Sequence, residues 1–103
     1  MSWHEVPGAQ ALGEEEALGV VLSERPVALV RSGGEWHALH NICTHQLALL
    51  SDGYVEDGCI ECPLHQGRFD LRTGAPKAPP VTEPVRVYPV KSENGKVYVD
   101  LPD

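Results

Sequence analysis

Four side chains in this 103-residue chain have the types and spacing to bind a transition metal. Cys43 and His45 stand one residue apart, Cys62 and His65 two residues apart, and sixteen residues separate the two sets. Each set offers one thiolate and one imidazole, both metal donors once deprotonated. Two such halves fit a two-iron, two-sulfide cluster with both Cys on one iron and both His on the other. They also fill the four tetrahedral positions of a structural zinc ion. Zinc sites, however, usually pair Cys with Cys and His with His at short spacing, whereas each set here mixes the types. A chance meeting of buried Cys and surface His would leave Pro63, Gly67 and Phe69 unexplained. The iron–sulfur reading leads, with zinc as its competitor.

Cys43-Thr44-His45 and Cys62-Pro63-Leu64-His65-x-Gly67-x-Phe69 resemble the motifs of the Rieske proteins. The likeness is greatest to the small Rieske ferredoxins that serve bacterial aromatic-ring-hydroxylating dioxygenases of the biphenyl and naphthalene type. It extends more loosely over nearly the whole chain. The resemblance implies one Rieske 2Fe–2S cluster held by Cys43, His45, Cys62 and His65. It also implies a soluble one-electron carrier, reduced by an NAD(P)H-linked flavin reductase and oxidised by a terminal Rieske oxygenase. A nitrite reductase or a demethylating monooxygenase is the alternative terminal enzyme, and a zinc-stabilised interaction module the alternative of another class.

Respiratory members of the family add a disulfide between positions that are Ala48 and Leu64 here, so that bond cannot form. This fits a reducing compartment. High-potential members place a Ser and a Tyr hydroxyl where this chain has Gly67 and Phe69. Donors to the cluster sulfurs stabilise the reduced form, so their loss predicts a potential at the low end of the Rieske range, about −150 mV.

An oxygenase would need a further mononuclear iron site of two His and a carboxylate. With five histidines in all, no such set remains, so the chain is predicted to be a carrier and not an enzyme. His37 and His40 read as half-exposed strand residues, and His4 carries no argument. Cys59 reads as a small apolar strand residue rather than a working thiol.

Fifteen acids against eight bases give a net charge of −7, which argues against nucleic acid and anionic membranes as partners. It suits docking onto a basic patch of a protein. Glu14 to Glu16 reads as a solvated face, with a docking patch as the competing reading. No apolar run approaches 18 residues and no leader pattern appears, so a cytoplasmic monomer is expected.

These residues must be positioned by strands. Ser2 to Val6 alternates into a Pro7-Gly8 turn, and Ala17 to Leu22 favours a strand through Gly19 and Val20-Val21. Val27 to Arg31 and Trp36 to Leu39 form a hairpin about Gly33-Gly34. Cys59 to Glu61 and Arg68 to Leu71 flank the second ligand set, and turns at Ser51-Asp52-Gly53 and Glu56-Asp57-Gly58 double the chain back. Gly67 is expected to allow close backbone approach. Ala75 to Pro84, with four prolines, reads as a stiffened connection, or as a third wall of the cluster site by resemblance. Val85 to Val87 and Lys96 to Asp100 alternate and join through Asn94-Gly95, with Pro89 demoting its strand to an edge or bulge. The prediction is one all-β domain over 1–103: an antiparallel sandwich or barrel-like base with a cluster lobe inserted at about Asn41 to Thr73.

Overall fold

The computed structural model describes residues 2–44, 48–64 and 66–102. Its strands in chain order are β1 (Ser2–Glu5), β2 (Glu16–Leu22), β3 (Arg25–Ser32), β4 (Glu35–His40), β5 (Tyr54–Glu56) and β6 (Cys59–Glu61). There follow β7 (Arg68–Asp70), β8 (Pro76–Ala78), β9 (Val87–Tyr88), β10 (Val90–Glu93) and β11 (Lys96–Leu101). All pairings between them are antiparallel, as the alternating patterns predict. The sheets run β2-β3-β4-β9, β1-β11-β10 and β5-β6-β7-β8. Two single-turn 3-10 segments, Ala9–Ala11 and Leu50–Asp52, are the only helical pieces among the described residues.

The run Val27-Ala28-Leu29-Val30 explains how the sheets share a wall. All four are buried, which a strand with one face in water would not allow. Val27 and Leu29 enter the base core with Val6, Tyr88 and Val99, while Val30 enters the lobe core with Leu50, Ile60 and Phe69. On β4, Ala38 and Leu39 divide in the same way. The strand period of two therefore sends alternate residues of one hairpin into two cores, fixing the lobe against the base.

Pro89 does more than mark an edge. It separates β9, which pairs with β4, from β10, which pairs with β11, so the chain changes sheets there. Lacking an N–H it gives no ladder bond, but its carbonyl accepts from the Asp100 amide at 2.9 Å. The lobe sheet also runs past Thr73, because Pro76–Ala78 adds β8 beside β7.

The acid run is neither idle nor loose. Glu14 accepts from the Gly34 amide at 2.7 Å, Glu15 from the Ser32 hydroxyl at 2.6 Å, and Glu16 from the Gly13 amide at 2.6 Å. Glu14 and Glu15 thus tie the segment before β2 to the β3–β4 turn, and Glu16 pins the turn before its own strand, a role that the composition of the run does not announce.

Candidate metal centre

The two ligand sets lie on two hairpins of the same design. In the first, Ile42 bridges Leu49 and the Cys43 amide donates to the Ala48 carbonyl at 3.0 Å. In the second, Glu61 pairs with Arg68 in the β6–β7 ladder and the Cys62 amide donates to the Gly67 carbonyl at 2.7 Å. Each Cys thus closes a tip of the same length, 44–47 in one case and 63–66 in the other. His45, with Gln46 and Leu47, and His65 lie outside the described residues.

Cys43 and Cys62 are brought together. Both are buried, 4% and 1% exposed, in one apolar cluster with Phe69, Ile60 and Val81. Burial pushes the Cys62 thiol up, the Leu64 amide hydrogen bond pulls it down, and hydrogen bonding and charge from Cys43 raise it again. Two thiols side by side in an apolar pocket are costly as free anions. A ferric ion is the partner that makes such thiolates favourable, and two adjacent thiolates are what one iron of the cluster requires. The described residues fit the group.

The proline segment packs against the two Cys-bearing hairpins and is not a plain linker. Val81, 5% exposed, packs with the two Cys, and the Thr44 hydroxyl donates to the Glu83 carbonyl at 2.9 Å. Its far end is fixed where the Val85 amide donates to the Gly74 carbonyl at 2.9 Å. Gly74, at φ +78°, would place a Cβ 2.0 Å from the Val85 carbonyl oxygen, so no other residue fits there.

At Gly67 the close approach comes from the strap. The positive φ in this tip belongs to Gln66, at 59°. A Cβ on Gly67 would stand 2.6 Å from Val81 Cγ1, so Gly67 is the notch that receives the strap. Only a partner 14 residues away in sequence reveals this.

His37 and His40 both sit on β4, and burial is the main cause lowering the pKa of each. They are strand residues, as read from the sequence. Cys59 is a half-buried free thiol on β6, raised chiefly by burial. A groove of about 720 Å³ lies between Glu16, Ala17 and the β5 residues Tyr54 and Val55. It is lined by neither Cys43 nor Cys62, so it is not the site of the metal chemistry.

A family model for the Rieske [2Fe-2S] domain matches residues 2–89. The chain is 50% identical over 99 residues to the anthranilate 1,2-dioxygenase ferredoxin subunit of Burkholderia cepacia, covering 96% of this chain and 92% of that one. It is 46% identical over 101 residues to the ferredoxin component of the naphthalene 1,2-dioxygenase system of Pseudomonas putida, covering 98% and 97%. Among solved structures, a chain in the complex of reduced oxygenase and oxidized ferredoxin of carbazole 1,9a-dioxygenase matches with a TM-score of 0.88. Identity there is 36%, covering 94% of this chain and 91% of that one.

Proposed function

The chain belongs to the Rieske [2Fe-2S] domain family and carries one Rieske-type 2Fe–2S cluster, and from that premise we propose how it works. It is the ferredoxin component of an aromatic-ring dioxygenase system. Cys43 and Cys62 hold one iron, and His45 and His65 hold the other. Bound there, the cluster supplies a one-electron couple with no position open to substrate. The observation that carries this reading is the pairing of two buried Cys by hairpins of matched tip length.

The remaining work falls to the chain. Phe69, Ile60 and Val81 keep water from the thiolates, and the hairpin ladders hold the two Cys at a fixed separation, which limits reorganisation when the charge changes. Leu64 and Leu49, 44% and 45% exposed, put apolar surface beside the tips for a partner to cover. Transfer goes from an NAD(P)H-linked flavin reductase to a terminal Rieske oxygenase, with the carrier a monomer of one domain over 1–103. Among the described residues no helix is long and apolar enough to cross a membrane. Ala48 and Leu64 stand where respiratory members of the family have their disulfide, which supports a reducing, cytoplasmic setting.

The test is a reconstitution with a flavin reductase, NADH and an anthranilate- or naphthalene-type oxygenase. Diol formation should depend on this protein and saturate as it is added. A fully iron- and sulfide-loaded preparation that adds nothing over a ferredoxin-free mixture would overturn the function. With 15 acids against 8 bases, association with the reductase should slow as salt rises.

A further inference from the structure

We infer that Asn41 is a positioning residue for the first ligand hairpin, and that Ser51 and Gly19 complete the lock it forms. The inference rests on the reading of Cys43 as an iron ligand. Asn41 is 3% exposed, a burial unusual for an amide side chain. Every polar group it has is used. Its amide donates to the Pro26 carbonyl at 3.0 Å and its carbonyl accepts from the Leu50 amide at 2.9 Å. Its side-chain Oδ1 accepts from the Ser51 amide at 2.8 Å, while Nδ2 donates to the Ser51 hydroxyl at 2.9 Å.

These bonds span the neck of the hairpin, two residues before Cys43 and three after Ala48. They tie its two ends to each other and to the start of β3. The neck is also pressed against β2. A Cβ on Gly19 would lie 2.5 Å from Ser51 Oγ and 2.9 Å from Asn41 Nδ2, so the lock closes only because that strand has a glycine facing it. Asn41 touches neither thiol; it acts by fixing where Cys43 stands relative to Cys62. Outer partners that orient a ligand set metal affinity and potential as well as stability.

The experiment uses the cluster-loaded full chain and the variants Asn41→Ala, Ser51→Ala and Gly19→Ala. Three properties are measured: the rate of iron loss to a chelator, the reduction potential, and the low-temperature electron-spin spectrum of the reduced protein. Ser51→Ala should lose iron roughly 10- to 100-fold faster, with a shifted potential and a broadened spectrum. Gly19→Ala, on another strand, should produce the same changes. In Asn41→Asp the Ser51 hydroxyl can turn to donate to the carboxylate, so the wild-type rate of iron loss should return. Ser51→Ala and Gly19→Ala proteins that merely melt earlier, with potential, spectrum and iron loss unchanged, would overturn the positioning role. A Cys43→Ser protein that keeps its full iron and its spectrum would overturn the ligand reading instead, and the inference with it.

Discussion

The two ligand hairpins perform one task with opposite chemistry. The neck of the first is closed by the neutral Asn41–Ser51 pair, buried against Gly19. The neck of the second is closed by Arg68, whose Nε lies 3.0 Å from Glu61 and whose Nη2 lies 3.4 Å from Glu56, with the guanidinium side chain 35% exposed. The strap reverses the polarity: it meets the first tip by a hydrogen bond from Thr44 and the second by seating Val81 in the Gly67 notch. A buried neutral pair feels salt little, whereas a half-exposed ionic pair is screened by it. The geometry around Cys43 and Cys62 is thus held by one clasp that ionic strength leaves alone and one that it loosens.

The sharpest test of the equivalence is to remove either sulfur. Cys43→Ser and Cys62→Ser should both lose the cluster, as judged by iron content and visible absorbance; a variant that kept full colour would show that the hairpins are not equal partners. Next in size is the notch. Gly67→Ala forces Val81 out and should destabilise the holoprotein by about 1–3 kcal/mol, the usual cost of overpacking. Adding Val81→Ala should recover much of the loss in a melting experiment. Additive losses would mean that the two side chains do not meet. For the same reason Gly67→Ser is a poor way to bring a hydroxyl to the cluster.

Phe69, fully buried in the apolar cluster with both Cys, is the better position for that purpose. Phe69→Tyr should raise the potential by roughly 40 mV if its hydroxyl gives one new bond of about 1 kcal/mol to a cluster sulfur. Protein-film voltammetry reads this directly. An unmoved potential with the hydroxyl seen on a sulfur would remove the donor argument. Smaller again is the neck contrast. Glu61→Gln should lower the melting temperature slightly at low salt and not at high salt, whereas Ser51→Ala should cost the same in both. The least effect belongs to Gln66→Gly, which relieves a left-handed residue in the second tip and should stabilise the holoprotein by up to about 1 kcal/mol.

What the sequence disclosed follows the range of the interactions. Turns set by one or two residues were legible: Gly33-Gly34, Asp57-Gly58 and Asn94-Gly95 all take positive φ at both positions, as their types suggest. The turn between β2 and β3 was not legible, because Ser23 and Glu24 adopt φ of 50° and 65° without a glycine to signal it. The ligand set could be read because each half is local. The supports could not. Asn41 marks only the start of the lobe until Ser51 and Gly19 are beside it, and Gly67 reads only as a place of close backbone approach until Val81 fills its notch. Glu14 to Glu16 reads as plain solvated charge until the Gly34 and Gly13 amides and the Ser32 hydroxyl that they hold are in place.

The central claim is that Cys43 and Cys62 share one iron while His45 and His65 share the other, and pulsed electron-spin spectroscopy of the dithionite-reduced protein addresses it most directly. The unpaired electron should couple strongly to two directly bound imidazole nitrogens, and His45→Cys or His65→Cys should each remove one of them in any variant that keeps its cluster. A reduced protein without strongly coupled nitrogen, or a colourless zinc protein with no signal at all, would contradict the account.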